Sequence, residues 1–265
     1  KGRNWFYDLW VNGKTNDEWE SFQFTTLDGG RVPAQELEQA KLDLDARTFE
    51  QEYLAQFVTW SQTVYYGFTD ENVKACPVPI TEYIPLHCGF DFNINPGTCT
   101  VGVQLGDDFY IVDEIMIYSS NTTEMVQELR LRYPTQPIFA YPDASGAQRR
   151  TSANGLTDHI ILQNQGFKLR VNNTNPSVID RINSTNARFT NSAGEHHLFI
   201  DPRCRNLRES FIKHSYKENS RIPDKSTGYD HITDAASYCI HQMYPIGQII
   251  KSGKPPRRNV GKMIS

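Results

Sequence analysis

Asp91 stands in CGFDFNINPGT (88–98), between Phe90 and Phe92, on the alternating pattern of a short strand. A carboxylate in the middle of a strand that looks built for a core is uncommon, because burial penalises the charged form. A second acid, Asp143, ends the apolar run PIFAYPDAS (137–145), where Phe139, Tyr141 and Asp143 share one face by two-residue alternation. A third group opens DHITDAASYCIHQMY (230–244): Asp230 and Asp234 are four apart and His231 and Asp234 three apart, so all fit one helical face. Gathered in space, such carboxylates repel and raise each other's pKa unless cations neutralise them. Hard oxygen ligands suit Mg2+ or Mn2+. Two such ions about 3.5–4 Å apart activate water and stabilise the leaving oxygen in phosphodiester hydrolysis. Each acid also has a plainer reading: Asp143 as the cap of a following helix, Asp230 as an N-cap, Asp234 as an exposed helical acid, and His231 as a surface or capping histidine.

The elements around these residues decide whether they meet. Residues 1–14 read as a short helix or turn, WESFQFTTL (19–27) as a strand, and DGGRVP (28–33) as a turn. Helices follow from Pro33 and over ARTFEQEYLAQFV (46–58), and TDENVKACPVP (69–79) reads as a linker. From Tyr83 the texture changes. Strands are expected at 86–94, 98–106 and 109–119, joined by turn residues. A helix is expected at 121–132, capped by Thr122 or Thr123, then a strand at 137–145, a helix at 152–165 and a strand at 168–173. Further helices are expected at 176–189, after 202 and at 230–244, with a short strand at 196–202 and a loop or hairpin at 217–229. Three antiparallel strands followed by alternating helices and strands predict an α/β fold: a ribonuclease H-like mixed sheet with helices on both faces. In that order the first and fourth strands are neighbours and the last helix crosses their ends, which brings Asp91, Asp143 and Asp234 together. The domain reading is 1–68 as an upstream helical segment, 69–82 as a linker, 83–246 as the sheet domain and 247–265 as a basic, disordered tail.

Composition narrows the function classes. The 265 residues are 38% hydrophobic and 12% aromatic, enough for a sizeable core. No run of 18 apolar residues occurs, so no membrane span is expected, and KGRNWFYDLW lacks the apolar region of a signal peptide. Five scattered cysteines without a C-x-x-C pair read as reduced thiols of a cytoplasm-like compartment. The formal charge of −4 is uneven: residues 1–82 carry 7 basic and 14 acidic groups, whereas 143–265 carry 18 and 10. A polyanion would therefore meet the last half. No G-x-S-x-G elbow, G-x-G-x-x-G fingerprint or G-x-x-x-x-G-K-[ST] loop is present, which argues against a serine hydrolase or a self-sufficient ATPase. Asp113 and Glu114 read as a polar edge, Glu124 and Glu128 as reserve ligands. His196 and His197 lack zinc spacing, and His214 and His241 read as surface or packing residues.

GFDFNINP (89–96), YPDAS (141–145) and GYDHITDAASY (228–238) resemble the nuclease domain of the large terminase subunit of tailed bacteriophages, and GRNWFYDLW (2–10) and TFEQEYLAQF (48–57) resemble the end of that family's ATPase domain. The resemblance implies a metal-dependent endonuclease that cuts concatemeric viral DNA during packaging with little sequence specificity. It implies Asp91, Asp143 and Asp234 as catalytic metal ligands for two Mg2+ or Mn2+, with Asp230 as a further ligand and His231 as a positioning group. Residues 1–68 would be a remnant of the ATPase domain. The basic residues Arg149, Arg150, Arg203, Arg205, Arg208, Lys213, Lys217, Arg221 and Lys225 would hold the DNA backbone. Implied partners are double-stranded DNA, the motor's ATPase domain, a portal protein and a small terminase subunit, in host cytoplasm at the procapsid portal. The family's ATP-binding motifs are missing from these 265 residues, so either the chain is a fragment of a longer motor or the ATPase is elsewhere. A junction resolvase or transposase would use the same acidic cluster, and a non-catalytic DNA-holding module would keep the fold alone.

Overall fold

Alternating apolar residues become strands wherever a neighbour supplies the hydrogen bonds. The computed structural model describes residues 5–57, 63–93, 95–147, 156–218 and 220–246. Arg149, Arg150 and the expected tail at 247–265 lie outside them. β1 (Leu86–Asp91), β2 (Gly97–Leu105) and β3 (Asp108–Ile117) form an antiparallel meander. β4 (Ile138–Pro142) returns parallel to β1, β5 (Lys168–Leu169) lies parallel to β4, and β6 (Leu198–Ile200) adds parallel to β3. The sheet order is β5-β4-β1-β2-β3-β6. The ribonuclease H-like mixed sheet read from the sequence is therefore present, with β1 and β4 as neighbours.

Two apolar layers sandwich the sheet. Cys88 and Phe90 of β1 pack with Met125, Val126 and Leu129 of α4 (Thr122–Arg132) and Leu162 of α5 (Asp158–Asn164). The opposite face carries α6 (Val178–Phe189), α7 (Arg205–Lys213) and α8 (Asp230–Met243), which bury Ile182, Phe189, Leu207, Phe211, Ile232, Ala236 and Ile240 against Phe109 and Ile111. By alternation His87, Gly89 and Asp91 face this second layer. Gly89 is what lets α8 lie down there. A Cβ at position 89 would come within 2.0 Å of the Ala235 carbonyl oxygen, so only glycine admits the helix backbone this close.

Upstream, α1 (Trp5–Thr15) buries no residue, whereas α2 (Ala34–Asp43) and α3 (Ala46–Glu52) share a small cluster of Leu37, Ala40, Leu44 and Phe49. That cluster is tied to the sheet domain. The Ser192 N–H donates to Leu44 O (2.7 Å), the Asn191 side chain donates to Leu42 O (3.0 Å), and the Tyr66 hydroxyl donates to the fully buried Asp45. Val64 and Tyr65 are buried in the α6–α8 layer. The buried Asn72 amide donates to Phe189 O (2.8 Å) and Leu198 O (3.0 Å), and Val73 bridges to Ile200.

Several local expectations differ from what forms. Residues 19–27 are not a strand: among the described residues no other strand lies beside them, and Trp19, Phe22 and Phe24 remain exposed. The helix from Ala46 stops at Glu52, and Ala55 takes the left-handed conformation (φ 52°), which no helix continues through. Asn121, not Thr122 or Thr123, caps α4, accepting from the Thr123 and Glu124 N–H groups. Thr122 instead donates to Asp158. Among the described residues no helix is long and apolar enough to cross a membrane.

Replacing Gly89 with Ala should cost about 1–3 kcal/mol through overpacking of α8 on β1, read from urea unfolding. A variant as stable as the parent would show that α8 does not need this contact.

Candidate functional site

The rigid end of β1 presents Asp91 to α8. Its side chain is mostly buried, and Oδ2 accepts from the Asn93 amide (2.6 Å) and lies 3.4 Å from His231 Nδ1. Asn93 also meets His231 Nδ1 at 2.9 Å. In the neutral tautomer Nδ1 accepts from Asn93; once protonated it donates to Asp91. Burial pushes the Asp91 carboxyl above its ordinary value, the His231 contact opposes this, and the Asp234 charge adds to it. The Asp91 hydrogen bond in turn raises the His231 pKa.

Asp234 lies one turn along α8 and is held by two cations. Arg181 Nη1, from α6, donates to Oδ1 at 2.9 Å, and Lys225 Nζ donates to Oδ2 at 3.1 Å. Arg181 is 3% exposed, also donates to Ser237 Oγ (2.6 Å), and stacks 4.0 Å from the centre of the Tyr238 ring. Lys225 reaches Asp230 Oδ2 as well, at 3.4 Å. Asp230 is 3% exposed, and its Oδ1 is buried with no hydrogen-bond partner.

Asp143 sits just past β4. Its Oδ1 accepts from the Ser145 and Gly146 N–H groups, so it caps the 3-10 turn Ala144–Ala147. The capping role is what forms at Asp143, and the Tyr238 phenol feels its charge together with those of Asp234 and Asp91. Burial lifts the Tyr238 phenol well above its ordinary pKa, Arg181 draws it back, and Asp143, Asp234 and Asp91 push it up.

Among the described residues no three His, Cys, Asp or Glu side chains are arranged to hold a metal ion as they stand. The chemistry of the cluster still fits a hard cation. Every acid donor is oxygen, one buried carboxylate oxygen has no partner, and an ammonium group already bridges Asp230 and Asp234.

The basic residues read as DNA contacts divide. Lys225 is on the acids. Arg203 pairs with Asp201 (3.0 Å), Lys213 with Glu209 (2.5 Å), and Arg208 donates to Pro202 O (3.2 Å). Arg205, Lys217 and Arg221 are exposed. The other candidates have structural roles. Glu114 accepts from the Asn206 and Leu207 N–H groups and caps α7, and Asp113 accepts from Arg132 and Tyr133. Glu124 completes the capping box of α4, and Glu128 pairs with Arg132. His196 meets Glu71, His197 meets Asp108, His214 meets Thr233 and His241 meets Ser184. Sequence reasoning missed Arg181 and Asn93. Asn93 had a signal, lying two residues after Asp91 on the same alternation; Arg181 lies 53 residues from Asp234 and had none.

Comparison with known proteins adds the fold. No family model matches the sequence, and no curated protein matches it either. The large terminase of a thermophilic bacteriophage superposes with a TM-score of 0.65 at 16% identity, over 91% of this chain and 60% of that one. The same terminase solved with ATP-gamma-S gives 0.63 at 18% identity, over 90% and 59%. The nuclease domain of the P22 large terminase gives 0.52 at 15% identity, over 71% of this chain and 97% of that domain. The chain thus shares the fold of the matched part of a large terminase and spans about 60% of the length of the thermophilic phage protein.

Replacing Arg181 with Met should destabilise the fold by about 3–5 kcal/mol, since it leaves a largely buried Asp234 without its buried partner. Chemical denaturation measures this. A loss below about 1 kcal/mol would mean the pair is solvated in solution.

Proposed function

We propose that the protein is a divalent-metal-dependent DNA endonuclease of the terminase kind, cutting concatemeric viral DNA with little sequence preference during genome packaging. The observation that supports it most is α8 laid across β1, which sets His231 beside Asp91 at 3.4 Å at the start of the helix that carries Asp230 and Asp234, on a fold shared with the P22 terminase nuclease domain. Asp91, Asp143 and Asp234, with Asp230 as a further oxygen donor, would hold two Mg2+ or Mn2+. Bound there, the ions would lower the pKa of water and stabilise the leaving oxygen of a phosphodiester.

The chain's own residues prepare that site. β1 and β4 fix Asp91 and Asp143 on rigid elements. Asn93 and His231 orient Asp91. Arg181 holds one oxygen of Asp234 and leaves the other to an exchangeable cation, now Lys225. Lys225 is 60% exposed at its side chain, so its hold is that of a weak surface pair. The exposed basic residues of 205–221 would meet the DNA backbone. In this reading the partners would be double-stranded DNA, the nucleotide-driven part of the motor, a portal protein and a small terminase subunit, in host cytoplasm.

A second reading rests on the same Lys225 contact. A cluster already neutralised by protein cations fits a module that holds DNA and does not cut it.

Plasmid cleavage in Mg2+ or Mn2+ against EDTA, with the parent chain and Asp143→Asn, separates the two. Metal-dependent cutting lost in the variant is expected; DNA binding without any cutting by the folded parent would favour the holding module. Lys225→Met should tighten Mg2+ binding about two- to fivefold in calorimetry, the worth of a surface ion pair. Weaker binding in that variant would mean Lys225 supports the site and does not compete for it.

A further inference from the structure

Two of the exposed cations on the α8 side of the sheet have no acidic partner. Lys168, in the edge strand β5, and Arg170, just beyond it, lie over the Phe139 ring at 5.4 and 5.1 Å. Neither makes an ion pair among the described residues, in contrast to Arg203, Lys213 and Lys225. No Asp or Glu occurs between Asp158 and Asp180. The nearest titratable neighbour adds no competing charge: burial, then Arg170, hold His87 down to about 4.

Their placement relative to the acids follows from register. Lys168 pairs with Phe139, and the Arg170 N–H donates to Ala140 O at 2.8 Å. Phe139, Tyr141 and Asp143 share a face, and the two cations stand over that face at Phe139. Along the strand, Tyr141 and Phe139 precede Asp143 by about 7 and 13 Å at roughly 3.3 Å per residue. One DNA strand advances about 3.4 Å per phosphate along the helix axis, so the two cations, both over the Phe139 ring, lie roughly four phosphates from the acid. A shallow cleft lined by Pro142, Arg170, Asn172, Asn175, Tyr238 and Gln242 runs from Arg170 to the Tyr238 ring. Asn175 accepts the Ala144 N–H at 2.7 Å, which fixes the cleft wall to the turn that follows Asp143.

We propose that the β4–β5 edge is a track for the phosphate backbone of a DNA strand entering the acidic site, with Arg170 and Lys168 as its phosphate contacts. This rests on the nuclease reading and adds a binding surface on the opposite side of α8 from α7. Phe139 acts as the platform that holds both cations extended. The asparagine side chains of 172–175 supply neutral hydrogen bonding between the cations and the metal ligands.

The test uses the full chain and a labelled linear duplex in EDTA, with anisotropy followed over a salt series. Lys168→Ala/Arg170→Ala should reduce the slope of log affinity against log salt by about 1.8, two contacts at roughly 0.9 each. Lys168→Arg/Arg170→Lys should restore the parent slope, which a merely structural role would not predict. Lys41→Ala, in α2 and paired with Glu38, should leave it unchanged. An unchanged slope in the double alanine variant, with the parent binding and cutting DNA, overturns the track and leaves the nuclease reading standing. A parent that binds no duplex at any salt overturns both.

Discussion

The backbone contact between α8 and β1 at Gly89 is the constraint on which the rest of the site depends. A helix normally rests on a sheet through the side chains of both. Here the missing Cβ lets the carbonyl of Ala235 approach the strand itself. The first turn of α8 therefore arrives at the depth of Asp91, not above it. Thr98 reinforces the placement by donating to the His231 carbonyl at 3.1 Å. A strand carboxylate and helix carboxylates that would otherwise stand a layer apart share one electrostatic environment.

That environment is managed by positive charge of two kinds. Arg181 is buried and fixed by Asp234, Ser237 and the Tyr238 ring. Lys225 comes from an exposed excursion between α7 and α8 whose strands meet at a bridge from Tyr216 to Pro223. A desolvated guanidinium held by several partners has nowhere to go, whereas an ammonium on a solvated segment exchanges freely with water. The two oxygens of Asp234 thus differ: one is committed to the fold and the other is available. Asp91 has no cation of its own in the same sense; it is balanced by an amide and an imidazole, and burial leaves it above the ordinary carboxylate range.

Much of this was legible in the sequence because periodicity reports which face of an element is buried. The three-strand meander, the return strand ending near Asp143 and the helix opening at Asp230 all follow from alternation and helical spacing; the neighbourhood of β1 and β4 follows only from the ribonuclease H-like order of those elements. Tertiary pairing was not legible. WESFQFTTL alternates as well as any real strand but has no strand partner among the described residues, so it stays irregular with its aromatic side chains exposed. Arg181 reads as an ordinary polar residue of an amphipathic helix until α6 is docked on α8. The basic residues after 200 looked alike as a charge run, yet local acids such as Asp201 and Glu209 neutralise some, and the distant Asp234 takes Lys225. Charge counting sums these residues, while their function depends on which of them already have partners.

The Asn72 amide has a mechanical meaning. With one side chain it grips the end of α6 through Phe189 O and the start of β6 through Leu198 O, while Val73 lies alongside Ile200 as a further parallel strand segment. Tension applied to the chain ahead of residue 63 would first load Val64, whose N–H donates to His214 O at 2.9 Å and whose carbonyl accepts from Asn186 at 3.0 Å, and would reach the Asn72 bonds only behind these. In the sheet order β6 is separated from β1 by β3 and β2. A pull from upstream is therefore borne first by α6 and the end of α7, with the Asn72 grip on the β6 edge as the second hold.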